Sequence, residues 1–211
     1  MSTDEALLAA WRAGDRVAGA ALLRRHITSV AGFFRTKVDG SIDDLVQRTF
    51  LACVESPERI PEGVRVRAWL LGIARNLLFN HFRAHEREIR ALAREAVELD
   101  PSRASPSVAV AVREEQQLVV QALRTLPMDL QIAIELQYWE QLGTDEIAIV
   151  LDIPRGTVKS RMNRARSELK AAIERLAPTA ALRSTTLDAL DKWARSLAVW
   201  ARSPPVEPPE E

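Results

Sequence analysis

The chain of 211 residues is 47% hydrophobic and 27% charged, and its 29 basic and 29 acidic side chains give a net charge of zero. This balance is typical of a soluble globular protein and argues against a disordered chain. No apolar run approaches the roughly 20 residues of a membrane span, and the first residues lack the basic and apolar parts of a signal peptide, so we expect a cytoplasmic protein.

The first 90 residues carry the three-and-four spacing of apolar side chains that predicts amphipathic helices. Ser2 or Thr3 can cap the first helix, which Gly14-Asp15 then interrupts. The same spacing predicts further helices over residues 16–37, 42–54 and 66–90. The core stripe predicted for the helix over 16–37 consists of Val17, Ala20, Leu23, Ile27, Val30 and Phe34.

Periodicity weakens from about residue 91, and the run 101–107, rich in Pro and Ser, indicates an exposed linker. Beyond it, the sequence predicts helices over residues 114–125, 128–139, 144–151 and 154–176. No segment shows the period-two pattern of a strand, so we expect an all-α fold. The predicted division is an N-terminal domain over 1–90, a flexible linker over 91–113, a C-terminal domain over 114–177 and an extension over 178–211.

The stretch from Thr144 to Arg161 has the pattern of a helix-turn-helix motif. A short helix with acidic residues in its first turn precedes a tight turn and a second helix beginning at Pro154, a residue suited to a first helical turn. The apolar stripe of the second helix points inward and leaves basic and hydroxyl side chains near its beginning. This outward set is the predicted DNA contact surface: Arg155, Thr157, Lys159, Ser160, Arg161 and Arg164.

Charge is distributed unevenly although its total is zero. Between Glu114 and Ile153 there are eight acidic residues and one basic residue, whereas between Pro154 and Arg175 there are seven basic residues and two acidic ones. Such a reversal is expected where one surface meets a polyanion and another avoids it. Together with the turn motif, it favours DNA binding over an ordinary solvated basic helix face.

Two sets of motifs resemble the extracytoplasmic-function (ECF) group of sigma factors, the promoter-recognition factors of bacterial RNA polymerase. In the second half of the chain, Leu126-Pro127, Glu146-Ile147-Ala148 and the run from Pro154 to Arg161 match the family's promoter-reading domain. The matching motifs of the first half are Asp44-Leu45-Val46-Gln47 with Phe50, Ala68-Trp69-Leu70 and Ile73-Ala74-Arg75-Asn76. The two matches together cover about residues 4 to 176.

The resemblance implies a monomeric sigma factor that binds core RNA polymerase and promoter DNA, with no catalytic activity and no cofactor. The helix over 42–54 would dock on the polymerase clamp helices, with the candidate contacts Asp43, Asp44, Gln47 and Arg48. The minus-ten promoter element would contact the candidates Arg67, Trp69, Arg75, Asn76, Asn80 and Arg83. The helix beginning at Pro154 would read the minus-thirty-five element, and an anti-sigma factor is a further partner that the resemblance allows.

Some positions depart from the family's pattern. Asn80 stands where Asp is usual, Val66 where an aromatic residue is frequent, and Gln131 where Arg is usual. The basic run after the minus-ten helix is also thinned by Ala84 and Glu86. These departures concern the promoter contacts rather than the class of protein.

Two other functions stay open on the sequence alone. The chain could be a helix-turn-helix repressor or activator, a class that usually dimerises on palindromic sites, or a sigma-like regulator acting through protein contacts. An enzyme is not expected, because the sequence has no phosphate-binding glycine loop, nucleophile triad or metal-ligand cluster. Cys53 is expected in the core, His81 and His85 at the surface without a metal, and Trp69 either in the core or stacked on DNA.

The extension from Pro178 lies outside the resemblance. Residues 184–201 can form an amphipathic helix, with Leu187, Leu190, Trp193, Leu197 and Trp200 on one side. Two roles are open for it: regulation, by packing on the protein's own domains or on a partner, and extension of the core of the second domain.

Overall fold

The computed structural model describes residues 3–38, 40–55, 57–95 and 114–188. Within these ranges every regular element is helical, which confirms the predicted all-α fold. No helix in them is long and apolar enough to cross a bilayer. The helices, with a short 3₁₀ turn at Pro57–Arg59 before the fourth, are α1 (Asp4–Arg12), α2 (Arg16–Arg35), α3 (Asp43–Val54), α4 (Val66–Glu95), α5 (Glu114–Arg124), α6 (Met128–Tyr138), α7 (Thr144–Leu151), α8 (Arg155–Leu176) and α9 (Ala180–Asp188).

Side-chain caps fix where the first two helices begin. The Thr3 hydroxyl accepts a hydrogen bond from the amide of Ala6 at 3.2 Å, which decides between the two predicted caps in favour of Thr3. The Asp15 carboxylate accepts from the amides of Val17 and Ala18 at 2.9 and 3.0 Å. Gly14, with φ at 100°, provides the left-handed step between the two helices.

The predicted core stripe of α2 is wrong in part. Val17 and Ile27 are 79% and 45% exposed, and Ala20 is exposed too, because the buried face is rotated by about one residue. That face mixes large apolar residues with small and polar ones. The buried residues of α2 are Ala18, Gly19, Leu22, His26, Ser29, Val30, Gly32, Phe33 and Phe34, of which Val30 and Phe34 belong to the predicted stripe. A stripe chosen from large apolar residues alone therefore points in the wrong direction.

Helix α6 lies at the centre of the C-terminal domain. Seven consecutive residues of α6, from Leu130 to Leu136, are buried, including the polar Gln131 and Glu135. Helices α7 and α8 cover one part of α6, and the N-terminal domain covers another. Helix α6 therefore belongs to the core of its own domain and to the contact between the two domains.

The N-terminal and C-terminal domains are packed against each other. Helix α4 lies across α7, and a Cβ at Gly72 would be in ordinary van der Waals contact with α7, 3.9 Å from the Cα of Val150. Helix α4 continues to Glu95, past the predicted domain boundary at residue 90. The rest of the predicted linker, residues 96–113, lies outside the described residues.

Helix α9 begins the C-terminal extension. It contacts α5 and α8, with Leu182 packed against the core and Thr186 buried. Its bounds overlap only the start of the predicted helix over 184–201, because residues 189–211 lie outside the described part of the chain. Over residues 180–188 the extension thus adds to the core of the second domain, and the regulatory role stays a prediction.

Candidate nucleic-acid interface

Helices α7 and α8 form a tightly capped helix-turn-helix. The Glu146 carboxylate accepts a hydrogen bond from the amide of Gly143 at 2.9 Å and closes the first turn of α7. Asp152, in the left-handed region with φ at 52°, ends α7, and the amide of Ile153 donates to the carbonyl of Ala148 at 3.1 Å. Pro154 is the N-cap of α8 rather than its first residue, so the turn is one residue longer than predicted.

The beginning of α8 presents an exposed basic surface, because Val158 and Met162 anchor the opposite side of the helix in the core. Arg155 pairs with Asp145 at 3.0 Å, but both side chains are about 70% exposed, so the pair competes weakly with any other anion. Five of the six predicted DNA contacts share this exposed surface: Arg155, Thr157, Lys159, Ser160 and Arg164.

Arg161 differs from the other predicted contacts on α8. Its side chain is 22% exposed, and its Nη1 lies 3.8 Å from the Asp129 carboxylate at the start of α6. The same carboxylate lies 3.5 Å from Nη2 of Arg75 on α4. Asp129 therefore lies close to one arginine on each predicted promoter-reading helix, Arg75 on α4 and Arg161 on α8.

The predicted minus-ten residues on α4 fall into two groups. Those facing the C-terminal domain are partly covered: Arg67 lies 3.8 Å from the Glu140 carboxylate, and Trp69 lines a cleft of about 210 Å³ between α4 and α7. The other group lies further along α4 and is exposed. Within it, Arg83 donates a hydrogen bond to the Asn80 side chain at 3.1 Å. The covered residues are Arg67, Trp69 and Arg75, and the exposed ones are Asn76, Asn80 and Arg83.

The four candidate polymerase contacts on α3, Asp43, Asp44, Gln47 and Arg48, are all exposed. Asp44 and Arg48 form a pair one helical turn apart at 3.4 Å. The sequence reasoning missed Leu51 and Val54, which are each 49% exposed one and two turns beyond Gln47. Apolar side chains beside a charged rim are typical of a protein-docking surface, and their spacing from Gln47 is the signal that identifies them.

A buried polar network joins the domains, and the sequence reasoning missed it as well. The Lys37 ammonium pairs with the Glu135 carboxylate, which also accepts hydrogen bonds from Thr36 and Gln131 at 3.2 and 3.0 Å. Burial lowers the pKa of Lys37 and raises the pKa of Glu135, each against the opposing pull of its partner. Nearby, the Ser29 hydroxyl donates to the Glu140 carboxylate. In the sequence, Glu135 lies one helical turn after Gln131 in an otherwise apolar segment, and this pair of polar residues is the pattern that indicates a buried network.

Nothing in the described ranges forms a group of three or more His, Cys, Asp and Glu side chains that could hold a metal ion. His81 and His85 are exposed on α4. Cys53 is buried, as predicted, and burial raises the pKa of its thiol to about 11. At neutral pH this thiol is neither a thiolate ligand nor a reactive nucleophile.

Comparison with known proteins matches each domain to a separate family model. Sigma-70 region 2 matches residues 20–88, and Sigma-70, region 4, matches residues 116–169. The ECF RNA polymerase sigma-E factor of Haemophilus influenzae is 32% identical over 183 residues, covering 82% of this chain and 97% of that protein. The ECF RNA polymerase sigma-E factor of Escherichia coli strain K12 is 28% identical over 183 residues, covering 82% of this chain and 96% of that protein.

Two solved complexes share the fold. The sigma factor RpoE in complex with the anti-sigma factor NepR, from Bartonella quintana, has a TM-score of 0.57 at 24% identity and covers 76% of this chain and 97% of its own. CnrH in complex with the cytosolic domain of CnrY has a TM-score of 0.59 at 23% identity and covers 82% of this chain and 99% of its own.

Proposed function

This chain belongs to the ECF group of RNA polymerase sigma factors, and we propose that it divides promoter recognition between α4, for the minus-ten element, and α8, for the minus-thirty-five element. Sigma factors of this family bind core RNA polymerase and promoter DNA. The observation that carries the proposed division is the exposed basic surface at the start of a capped α8. The cytoplasm, where the polymerase is found, is the proposed site of action.

For α8 we propose base reading by Arg155, Thr157, Lys159 and Ser160. A major groove admits one end of a helix, and these exposed side chains occupy its first turns. Arg164, further along, would contact phosphate. Arg161 would reach DNA only after leaving Asp129, which limits its part in the first encounter.

For α4 we propose that Asn76, Asn80 and Arg83 form the accessible part of the minus-ten surface, since they are exposed. An amide and a guanidinium can hydrogen-bond to base edges and phosphates of an unpaired strand. Trp69 would stack on a base only if α7 moved away from the cleft that it lines.

For α3 we propose docking on the polymerase through the exposed polar residues Asp43, Asp44, Gln47 and Arg48, extended by Leu51 and Val54. Charged groups at the rim set orientation and association rate, and apolar area at the centre supplies affinity. The two solved relatives are bound to NepR and to the cytosolic domain of CnrY. We propose that this chain, too, is a target for an anti-sigma factor.

The decisive test is run-off transcription with core RNA polymerase on a genomic promoter library, with and without this protein. The variant R155A/K159A removes two exposed charges from the start of α8, and K170A removes one exposed charge from a later turn of the same helix as a control. We expect protein-dependent transcripts with a two-part upstream motif, lost in R155A/K159A and retained in K170A.

Other outcomes discriminate between classes. DNA binding without any polymerase-dependent transcript would favour a helix-turn-helix regulator. Binding to a protein partner with neither activity would favour a sigma-like regulator. Full activity of R155A/K159A would show that α8 does not read the minus-thirty-five element.

A further inference from the structure

Helix α1 lies on α2 and is held at both of its ends, although none of its nine residues is fully buried. At its start, Asp4 pairs with Arg25 at 2.9 Å and with His26 at 2.8 Å. At its end, the ring of Trp11 occupies the space beside Gly19, where a Cβ would lie only 2.6 Å from Cδ1 of that ring. The position of α1 is therefore well defined, even though the helix adds little to the core.

The last residue of α1 reaches the loop that leads into α4. The Arg12 guanidinium donates a hydrogen bond to the backbone carbonyl of Ile60, 48 residues further along the chain. The Ile60 side chain is 1% exposed and packs in the core. A hydrogen bond from a charged donor is stronger than one between neutral groups. Arg12 therefore holds the backbone of Ile60 while the core holds its side chain.

The loop after Ile60 is short and has a defined shape. It consists of residues 61–65 and ends at Val66, the first residue of α4, which is 3% exposed. Within it, the amide of Val64 donates to the carbonyl of Pro61 at 3.3 Å, and Gly63 takes the positive φ of 74° that this kind of turn requires. With both ends anchored in the core and a tight turn between them, the loop presents its exposed tip, residues 61–63, in one place.

Beyond the Arg12 bond, a cleft separates the loop from α1. The cleft has a volume of about 460 Å³ and is lined on one side by α1, including Asp4, Leu8 and Arg12, and on the other by the loop. Because the loop faces a cleft rather than a tightly packed surface, few other contacts fix its distance from α1. The bond from Arg12 to the Ile60 carbonyl is therefore the contact that sets this distance.

The position of the loop matters because it flanks the start of the proposed minus-ten helix. The surface proposed on α4 binds an unpaired strand, and a strand bound along α4 toward its first turn passes the exposed tip of the loop. A mobile loop must be ordered when the strand binds, and this ordering costs free energy. A loop that is already fixed avoids that cost, so it favours the opened promoter.

We propose that Arg12 is a positioning residue for promoter opening, which fixes the loop 61–65 beside the unpaired strand by holding the Ile60 carbonyl. The proposal rests on the proposed minus-ten role of α4, and it extends that role to a residue that acts through the loop rather than on DNA. It also gives α1 a function, as a brace for the loop. Loss of Arg12 weakens promoter opening and leaves binding to core polymerase unchanged.

The first test compares Arg12→Met with Arg12→Lys and with Arg24→Met, which removes an exposed arginine of α2. Each full-length variant is combined with core RNA polymerase on a promoter identified by run-off transcription. The promoter is supplied as a duplex and as a template with a mismatched, already unpaired minus-ten region. Opening is measured by the permanganate reactivity of unpaired thymines, transcription by run-off product, and polymerase binding by fluorescence anisotropy.

We expect R12M to open the duplex about threefold to tenfold less than the wild type, the range that corresponds to losing one hydrogen bond. On the mismatched template R12M should transcribe within about twofold of the wild type, because the strands no longer have to be separated. R12K should lie between R12M and the wild type, since its ammonium can still donate to the carbonyl, and R24M should equal the wild type. A general loss of folded protein would instead lower activity equally on both templates.

A second pair of variants changes the loop without changing Arg12. Gly63→Ala and Gly40→Ala each add a Cβ at a positive φ, 74° and 88°, and neither Cβ meets an atom within 4 Å. The two substitutions therefore strain the backbone in a similar way, but in different loops. We expect G63A to reduce duplex opening as R12M does, and G40A to remain within about twofold of the wild type. The double variant R12M/G63A should be little worse than the more impaired single variant, because both act through the same loop.

The outcomes separate this proposal from the one on which it rests. If R12M opens the duplex as well as R24M, if it loses equal activity on both templates, or if G63A behaves like G40A, Arg12 does not position the loop for opening. Run-off transcription by the wild type would still support the minus-ten role of α4 in each of these cases. If the wild type itself leaves the duplex unopened, that role fails, and the positioning role of Arg12 fails with it.

Discussion

The two promoter-reading helices of this molecule are presented differently. Helix α8 exposes most of its beginning, where the pairs made by Arg155 and Arg164 are at the surface and only Arg161 is partly covered. Helix α4 has half of its predicted contacts covered by the C-terminal domain, with Arg67, Trp69 and Arg75 turned toward it. The difference indicates that α8 is accessible with the domains packed as they are in this structure, whereas full access to α4 would require the domains to separate.

The largest change in stability is expected from breaking the buried pair of Lys37 and Glu135, which joins the N-terminal domain to the C-terminal domain. Lys37→Met leaves the Glu135 carboxylate buried with only Thr36 and Gln131 as partners, and this should lower the free energy of unfolding by about 3–5 kcal/mol. The measurement is urea denaturation followed by tryptophan fluorescence. Lys170→Met, at an exposed position, is the control and should change little.

The double variant K37M/E135L sharpens the same test. Replacing both ions by apolar side chains of similar volume should recover most of the stability, because no uncompensated charge remains. If K37M alone were as stable as the wild type, the pair would not contribute to the contact between the domains.

A smaller effect, on DNA binding, distinguishes the exposed helix α8 from the partly covered helix α4. On a promoter duplex without polymerase, Arg155→Ala should weaken binding by about 1–3 kcal/mol, because its exposed pair with Asp145 competes weakly with a base edge. Arg67→Ala should weaken binding little, since Arg67 is partly covered and lies beside the Glu140 carboxylate in this structure. In run-off transcription with core polymerase both variants should be impaired. Equal losses on the bare duplex would contradict the distinction between the helices.

Substitutions at Gly72, where α4 meets α7, give a third test, with an expected change of about 1–3 kcal/mol in the free energy of unfolding. Gly72→Leu places a side chain where even a Cβ is 3.9 Å from the Cα of Val150, so the helices must separate or strain. Gly72→Ala fits the same space and should raise stability by up to about 1 kcal/mol, because alanine favours a helix. We expect the two substitutions to have opposite signs in thermal unfolding. A destabilising alanine would show that the approach is closer than described.

The smallest effect concerns pH and the packing of α1 on α2. His26 is buried beside Asp4, and burial lowers its pKa below the usual value of about 6.5 in spite of that carboxylate, with Arg67 and Arg25 adding to the lowering. The unfolded chain therefore takes up its proton at higher pH than the folded protein does. Stability should fall as pH decreases through about 6.5. His26→Gln should reduce this decrease between pH 7 and pH 5.5, and His81→Gln, at an exposed site, should not.

What the sequence predicted well is what local chemistry determines. The bounds of α7 agree with the prediction, because acidic first-turn residues, Gly143 and a proline step define its ends without reference to the rest of the chain. The exposed face of α8 followed from the three-and-four spacing of residues such as Val158 and Met162. These features depend on residues within one or two turns of each other.

What the sequence missed depends on partners far along the chain. The stripe of α2 was misplaced because His26 and Ser29 turn inward toward Asp4 and Glu140, which no local pattern announces. The sequence identifies Gln131 only as a departure from a family pattern, yet Gln131 donates to Glu135 in the buried network. The covering of α4 by α7 likewise follows from the packing of two domains that the sequence treats as separate units.

The contact between the domains combines buried polar groups with an apolar part, and this mixture has a consequence for a chain whose domains part in a crowded cell. Parting the domains would uncover Lys37, Glu135, Gln131 and Thr36, groups that water solvates readily. It would also uncover the apolar side chains between α4 and α7, among them Trp69, Ile73 and Val150, and such a surface is prone to aggregation. Separated domains would therefore need a partner over this apolar surface to escape chaperones and proteases.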